Sequence, residues 1–220
     1  MKVCSIYSSI NGEVNNIPQG SLITILRLAG CNLKCTYCDS VQSQNAKNGK
    51  EMSNEEIFEK ITEFGNSNLL ITGGEPLLQQ DELICFIEEY ETTELLSQNI
   101  IVETNGSIIP FDLEVGSIVM DYKLPSSGME QKMDLNNFYV LTDEDFVKFV
   151  VQDWVDFARA LEIMEKIEEY KHHVTFLFSP ISNKLHPKVL HKWMKERKLN
   201  DCILNLQLHK YIWPKGEKEK

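Results

Sequence analysis

Three cysteines, Cys31, Cys35 and Cys38, carry the most distinctive chemistry in this chain of 220 residues. They follow a C-x₃-C-x₂-C spacing, which places three thiols in one short loop. A [4Fe–4S] cluster needs an outer ligand for each of its four irons, and cysteine thiolates are the usual ligands. Three cysteines leave one iron open to a substrate or cofactor. The spacing therefore predicts a cluster that takes part in a reaction.

Two other uses of these cysteines are less consistent with the sequence. A zinc site normally has four ligands, and no fourth ligand is evident near the loop. The remaining cysteines, Cys4, Cys85 and Cys202, are isolated in apolar surroundings and are interpreted as ordinary buried thiols. A disulfide framework is not expected, because the chain is large enough to bury a core and its start has no secretory pattern.

The composition is that of a globular enzyme-sized domain. Hydrophobic residues make up 42% of the chain and charged residues 25%. No apolar run approaches the roughly 20 residues of a membrane span, and unpaired thiols favour a cytoplasmic location. The formal net charge is −11, with no basic patch that could neutralise phosphates, so nucleic acid is not expected as the direct substrate.

Short apolar runs alternate with helical patterns along the chain, which predicts a parallel sheet with crossover helices. Predicted strands cover residues 22–28, 69–72, 100–103, 117–120, 146–151, 174–178 and 203–206. Predicted helices cover residues 53–64, 80–90, 155–170 and 187–197. Six to seven mostly parallel strands are too few for a closed eight-stranded barrel, so we expect an α/β fold with an incomplete (β/α) barrel.

Ligands of such folds bind at the carboxyl ends of the strands. Polar residues end the predicted strands and are expected to form one ring: Arg27, Thr72, Glu103, Asp121, Lys148, Ser179 and Gln207. Beside this ring, Gly73 and Gly74 are expected to let the backbone approach a ligand, and the Glu75 carboxylate to accept hydrogen bonds from an ammonium group. A simple strand-to-helix turn is the other interpretation of this segment.

Together, the cysteine loop and the sequence Gly73-Gly74-Glu75-Pro76 resemble the two signature motifs of the radical S-adenosylmethionine (SAM) superfamily. The resemblance implies that the open iron binds the amino and carboxylate groups of SAM. It also implies that one-electron reduction of the cluster cleaves the sulfonium and yields a 5′-deoxyadenosyl radical. Tyr37 matches the aromatic residue that lies beside the adenine in this superfamily.

A narrower resemblance covers the whole chain and concerns the 7-carboxy-7-deazaguanine synthase family. It rests on motifs at residues 9–13, 27–39, 103–107, 121–128, 179–182 and 206–210, in family order. The implied reaction converts 6-carboxy-5,6,7,8-tetrahydropterin to 7-carboxy-7-deazaguanine with loss of ammonia, in queuosine-type biosynthesis. The resemblance also implies that the chain forms a homodimer and receives electrons from a donor such as a flavodoxin.

The resemblance also implies a role for individual residues. Cluster ligands are Cys31, Cys35 and Cys38, and Ser40 is a Mg²⁺ ligand where the family has threonine. Catalytic residues are Arg27, Ser40 and Glu75. Cofactor-binding residues are Tyr37, Cys38, Asp39, Gly74, Glu75, Asp121, Tyr122, Lys123, Ser179, Pro180, Ile181 and Ser182. Substrate-binding residues are Ile10, Asn11, Gly12, Arg27, Thr72, His209 and Pro214.

Some features depart from the family pattern or leave alternatives open. Asn11 stands where the family has glutamine, which keeps the amide but shortens its reach. A radical SAM domain is predicted over residues 1–214, with a charged tail over 215–220. The alternatives to a synthase are a glycyl-radical-enzyme activase, which also combines these two motifs, and a non-catalytic iron–sulfur module.

Overall fold

A computed structural model describes residues 1–92, 99–170 and 174–213. The strands of this part of the chain are β1 (Lys2–Ile10), β2 (Leu22–Leu28), β3 (Lys50–Glu51), β4 (Asn68–Gly73), β5 (Asn99–Thr104), β6 (Ser117–Tyr122), β7 (Phe146–Val151), β8 (Thr175–Pro180) and β9 (Ile203–Leu204). The helices are α1 (Asn54–Phe64), α2 (Gln80–Glu91), α3 (Trp154–Glu168), α4 (Pro187–Glu196) and α5 (His209–Ile212).

All nine strands form one sheet in the order β3-β1-β2-β4-β5-β6-β7-β8-β9. Neighbours are parallel from β2 to β9, whereas β1 pairs antiparallel with both β2 and β3. The predicted α/β fold with an open, mostly parallel sheet is confirmed. The strand count was too low, because β1 has several half-buried polar residues and lacks a clear apolar alternation. Residues 214–220 lie outside the described part, so the predicted domain boundary stays a prediction.

Helices cover the outer face of the sheet and form two core clusters with it. One cluster joins β6, β7 and β8 to α3 and α4 around Phe149, Phe157 and Phe178. The other joins β2, β4 and β5 to α1 and α2. Local signals set the helix starts: Ser53 and Glu56 form the capping box that opens α1. No helix in the described ranges is long and apolar enough to span a membrane.

The inner face of the sheet changes from apolar to polar along the strands. Nearer the amino ends of the strands, this face carries a small apolar cluster. It has one residue from each of several neighbouring strands: Ile25, Leu70, Ile101, Val119 and Leu177. Side chains of a strand alternate between faces, so the residue two positions further on faces the same way. Those residues are Arg27, Thr72, Glu103, Asp121 and Ser179. In the sheet register, Arg27 pairs with Thr72 and Asp121 pairs with Lys148.

The open side of the sheet is bridged by the loop that joins β1 to β2. The amide N–H of Val14 donates to Asn205 Oδ1 at 2.9 Å, and that of Leu208 donates to the Gly12 carbonyl at 2.8 Å. The Gln19 side chain donates to the carbonyl oxygens of Gly12 and Leu206. These bonds hold the loop after β1 against the residues that follow β9.

Candidate active site

The loop with the three cysteines follows β2 directly and is anchored on two sides. The amide of Gly30 donates to the Ser43 carbonyl at 2.8 Å, and that of Cys31 donates to the Gln44 carbonyl at 3.0 Å. On the other side, Thr36 donates its amide to the Ser127 carbonyl and its hydroxyl to the Ser126 carbonyl. The loop is therefore fixed between the end of β2 and the segment after β6.

All three loop cysteines are free and half-buried. Burial raises the pKa of Cys35, Lys123 opposes this shift, and Asp121 and the two other loop cysteines add to it. Within the described residues, no three Cys, His, Asp or Glu side chains converge on one metal-ion position. A four-iron cluster binds each thiolate through a different iron, so its ligands need not converge on a single ion. The donor set fits such a cluster better than it fits zinc.

Gly74 and Glu75 pack against the cysteine loop. A Cβ at Gly74 would lie 2.0 Å from the Gly30 carbonyl oxygen, so the glycine is required by the backbone that precedes Cys31. Glu75 is fully buried, and its carboxylate accepts bonds from the Leu77 amide, the Thr104 hydroxyl and the Asn105 amide. The sequence predicted that this carboxylate accepts hydrogen bonds from an ammonium group. The structure does not agree, because protein donors already occupy it. Both residues serve the scaffold of the site.

Arg27, Ser40 and Asp39 meet beside the cysteine loop. Arg27 Nη1 donates to Ser40 Oγ at 2.9 Å, and Arg27 Nη2 donates to the hydroxyl of Tyr7 at 3.2 Å. Ser40 Oγ donates to Asp39 Oδ1 at 3.2 Å, and Lys210 lies 2.9 Å from Asp39 Oδ2. Burial would raise the pKa of Asp39, but Lys210 outweighs it and lowers that pKa to about 2. The carboxylate is thus ionised and lies among cations.

The residues predicted to bind substrate near the amino terminus are only partly brought together. Gly12 and His209 are in contact, since a Cβ at Gly12 would lie 2.5 Å from His209 Nδ1. Asn11 is buried, and its amide bonds Asn15 and the Ile17 carbonyl inside its own loop. Its side chain is therefore occupied by the loop instead of facing the ring. Ile10 ends β1, Thr72 lies beside Arg27 in the sheet register, and Pro214 lies outside the described residues.

A buried ionic network joins ring residues to Glu13 and Asn205, two residues that the sequence analysis did not place in the ring. Lys148 Nζ lies 3.0 Å from Glu13 Oε2 and 3.3 Å from Asp121 Oδ1. Glu13 also accepts bonds from Asn205 at 2.9 Å and from Gln207 at 2.6 Å. Burial alone would raise the pKa of Glu13, but Lys148 and the bond from Gln207 lower it to about 2. The opposing carboxylates raise the pKa of Lys148 well above its ordinary value, although burial acts in the opposite direction.

The end of β6 and the residue that follows it divide their side chains between the two faces of the sheet. Lys123 is buried and pairs with Asp121. Tyr122 instead packs on Phe138 and Phe149 in the outer core. Its predicted contact with a cofactor does not agree with the structure, because adjacent strand residues point to opposite faces. Tyr37 has a buried hydroxyl without a hydrogen-bond partner among the described residues, which is consistent with a ligand binding there.

The predicted cofactor segment after β8 is also divided. Ser179 is fully buried and accepts a bond from Asn205 Nδ2 at 2.8 Å, so its hydroxyl belongs to the network around Glu13. Ile181 is buried as well. Pro180 and Ser182 line a surface groove of 410 Å³ together with Gln207 and Lys210. Of these two residues, Ser182 is exposed and Pro180 is buried.

Glu103 completes the ring between Arg27 and Lys148. It is half-buried, and the described residues offer it no hydrogen bond. Burial raises its pKa to about 7, with Lys148 and Arg27 opposing the shift and Glu13 and Asp121 adding to it. A carboxyl group that titrates near neutral pH in a polar cleft is typical of a functional site. The arrangement as a whole can bind a polar, carboxylate-bearing molecule beside a cluster.

Comparison with known proteins agrees with this geometry. The Radical SAM superfamily model matches residues 25–185, a range that includes the cysteine loop and most of the polar ring. The chain therefore belongs to the radical SAM superfamily. Two relatives define its place there more closely.

The 7-carboxy-7-deazaguanine synthase of Clostridium acetobutylicum is 38% identical over 96% of this chain and 96% of the relative. The 7-carboxy-7-deazaguanine synthase of Leptospira interrogans is 34% identical over 96% of this chain and 94% of its own. The chain is a member of the 7-carboxy-7-deazaguanine synthase family. The crystal structure of QueE from Escherichia coli shares the fold, with a TM-score of 0.73, 18% identity and coverage of 94% and 93% of the two chains.

Proposed function

We propose that this chain converts 6-carboxy-5,6,7,8-tetrahydropterin to 7-carboxy-7-deazaguanine with loss of ammonia, as a step of queuosine-type biosynthesis. The observation that carries the proposal is the meeting of Arg27, Ser40 and Asp39 beside the three-cysteine loop. It places a guanidinium suited to a carboxylate next to the site for the cluster. The two relatives are both 7-carboxy-7-deazaguanine synthases, and both match nearly the full chain. This favours the synthase reaction over an activase or a non-catalytic module.

Cys31, Cys35 and Cys38 hold the [4Fe–4S] cluster in this proposal. When bound, the cluster and SAM supply a 5′-deoxyadenosyl radical, and the chain provides binding, orientation and exclusion of water. Tyr37 lies in the cluster loop, Asp121 and Lys123 lie beside it, and Pro180 and Ser182 line a groove with Gln207 and Lys210. We assign SAM to this side of the ring.

Arg27 binds the carboxylate of the pterin. A guanidinium presents two parallel N–H groups that match a carboxylate, and its half-buried position strengthens the interaction. The Tyr7 hydroxyl and Ser40 Oγ keep the guanidinium oriented before substrate arrives. Thr72 pairs with Arg27 and Gly12 contacts His209, and we assign both pairs to the pterin side of the ring.

Mg²⁺ is assigned to Ser40. Serine and aspartate oxygens are hard ligands of the kind that Mg²⁺ prefers, and Ser40 Oγ lies 3.2 Å from Asp39 Oδ1. Mg²⁺ keeps several waters or takes substrate oxygens, so few protein ligands are sufficient. Ser40 would hold the ion, and the ion would orient the substrate.

The proposal includes a homodimer, an electron donor such as a flavodoxin, and a cytoplasmic location. Sedimentation velocity of the cluster-containing protein tests the dimer. Reduction of the cluster by a flavodoxin system, with dithionite as the reference reductant, tests the donor.

Anaerobic turnover tests the proposed function directly. The reconstituted, reduced protein is incubated with SAM and 6-carboxy-5,6,7,8-tetrahydropterin, and the products are identified by mass spectrometry. We expect 7-carboxy-7-deazaguanine and 5′-deoxyadenosine. SAM cleavage without pterin conversion would contradict the substrate assignment.

Arg27→Lys sharpens this test because it keeps the charge and loses the two-point contact. We expect substrate affinity to fall about 10- to 100-fold, from the roughly 1.5–3 kcal/mol of a hydrogen bond to a charged group. SAM cleavage in the absence of pterin should not change. Unaltered KM and turnover in this variant would count against the role of Arg27.

A further inference from the structure

We propose that Asn105 is a positioning residue that donates an amide hydrogen bond to the Cys31 thiolate and raises the reduction potential of the cluster. Asn105 Nδ2 lies 3.8 Å from Cys31 Sγ, within the range of a hydrogen bond to sulfur. Asn105 belongs to the motif at residues 103–107, to which the proposed function gives no task. The proposal presupposes the cluster that the proposed function places on the cysteine loop.

The orientation of the Asn105 amide is determined by its other partners. Its oxygen accepts from the Ser107 amide at 2.9 Å and from the Ser107 hydroxyl at 2.6 Å. With the oxygen occupied by two donors, the NH₂ group must face the cysteine loop. There it donates to Asn32 Oδ1 at 3.0 Å and to the sulfur of Cys31. The alternative amide orientation would place NH₂ against the Ser107 backbone N–H, which cannot accept a hydrogen bond.

Glu75 anchors Asn105 from behind. The buried carboxylate accepts the Asn105 backbone amide at 2.7 Å and the Thr104 hydroxyl at 2.7 Å. Asn105 itself is 8% exposed, so its side chain has little freedom to turn away. The buried Glu75 therefore has a positioning role, although its carboxylate does not face a ligand. It fixes the end of β5 so that Asn105 lies beside Cys31.

Within the described residues, the sulfur of Cys31 accepts more hydrogen bonds than the sulfurs of Cys35 and Cys38. The Leu33 amide donates to Cys31 Sγ at 3.4 Å, and Asn105 adds a side-chain donor. Hydrogen bonds to cluster sulfurs are among the factors that set the potential, because they stabilise the extra negative charge of the reduced state. The Leu33 donor is part of the loop, whereas Asn105 can be changed separately.

Redox titration of cluster-containing Asn105→Ala, monitored by electron paramagnetic resonance, tests the proposal. We expect a more negative potential than in wild type. A tenfold fall in the ratio of reduced to oxidised cluster at fixed potential corresponds to about 59 mV for one electron. Asn32→Ala is the matched control, because it loses the Asn105–Asn32 and Asn32–Ser107 bonds and keeps the sulfur contact. Its potential should equal that of wild type.

A second measurement uses wild-type protein, so it does not depend on cluster assembly in a variant. Wild-type protein labelled with ¹⁵N in asparagine side chains should show a nitrogen hyperfine coupling in the reduced state. Absence of that coupling, or equal shifts in Asn105→Ala and Asn32→Ala, would overturn the proposal. A wild-type protein that binds no cluster would instead contradict the proposed function, so the two failures are distinguishable.

Discussion

Two walls of the active site are held together by different interactions. The wall formed by β2, β4 and β5 uses hydrogen bonds from backbone and neutral side chains to one buried carboxylate, that of Glu75. The wall formed by β6, β7, β8 and the residues after β9 uses a network of ion pairs around Lys148. The first wall carries the cysteine loop, and the second encloses the space in front of it.

The two walls also differ in the distance along the chain between their partners. Glu75 bonds Thr104 and Asn105, which are 29 and 30 residues away. Glu13 bonds Lys148, Asn205 and Gln207 at separations of 135, 192 and 194 residues. The first wall is therefore assembled within neighbouring β/α units, whereas the second depends on closure of the whole fold. Variants in each wall should fail in different ways.

The largest effect is expected in the first wall, from alanine at any one of Cys31, Cys35 or Cys38. Each change removes a cluster ligand, so both the cluster and SAM cleavage should be lost, while wild type holds about four irons and four sulfides per chain. Metal analysis and 5′-deoxyadenosine formation measure the two losses. Cys85→Ala is the control and should keep both, because Cys85 lies outside the loop and is exposed instead of buried as the sequence predicted.

A loop variant with full activity would contradict the assignment of the cluster to this wall. Wild-type protein that contains zinc in place of iron would do the same.

Lys148→Met tests the second wall. It leaves Glu13 buried without its cation, whereas Asp121 keeps its pair with Lys123, and loss of one partner of a buried pair costs about 3–5 kcal/mol of unfolding free energy. Anaerobic urea denaturation with an unchanged m-value measures this loss. Lys192→Met breaks the exposed pair with Glu196 and should change the free energy by less than about 0.5 kcal/mol.

The double variant Lys148→Met with Glu13→Gln removes the carboxylate that Lys148→Met leaves without its cation. We expect it to recover part of the stability lost in Lys148→Met. If Lys148→Met is as stable as wild type, the ionic network does not hold this wall together.

The difference between the walls also explains what the sequence could predict. The cysteine spacing, the glycines before Glu75 and the alternation along the strands are local, so the cysteine loop, the parallel sheet and the ring from Arg27 to Ser179 follow from short segments. Glu13 and Asn205 became visible as one site only when β9 and the loop after β1 closed the sheet. No local pattern carries that information.

Side-chain direction was the second kind of information that the motifs did not contain. Glu75 and Tyr122 lie in the correct segments, yet one is buried behind the cysteine loop and the other packs in the outer core. The alternation of faces along β6 could have separated Tyr122 from Asp121. Nothing in the sequence indicated that the Glu75 carboxylate would be occupied by Thr104 and Asn105.

Glu103 and Glu13 provide a comparison within the ring, because their pKa values shift in opposite directions. Burial raises the pKa of Glu103 to about 7, so the folded state binds its proton more tightly than the unfolded state between about pH 4.5 and 7. The contribution of Glu103 to the free energy of unfolding therefore falls as the pH rises through that range. Relative to Glu103→Gln, wild type should lose of the order of 2–3 kcal/mol between pH 4 and 8.

Glu13→Gln should behave in the opposite sense. The pKa of Glu13 is lowered to about 2, so its stabilisation is present above about pH 4.5 and is lost as pH falls towards 2. Urea denaturation at a series of pH values measures both differences. A difference between wild type and Glu103→Gln that stays constant from pH 4 to 8 would show that folding does not shift the pKa of Glu103.

The smallest effect is expected at Ser40, which lies between the two walls and contacts Arg27 and Asp39. If Ser40 Oγ is a Mg²⁺ ligand, Ser40→Thr should keep the stimulation by Mg²⁺, because it retains the hydroxyl, and Ser40→Ala should lose most of it. Cluster content and SAM cleavage without pterin should be unchanged in both variants. The alternative is that Ser40 only orients Arg27. In that case Ser40→Ala would raise the KM for the pterin, while its Mg²⁺ titration curve would have the same shape as that of wild type.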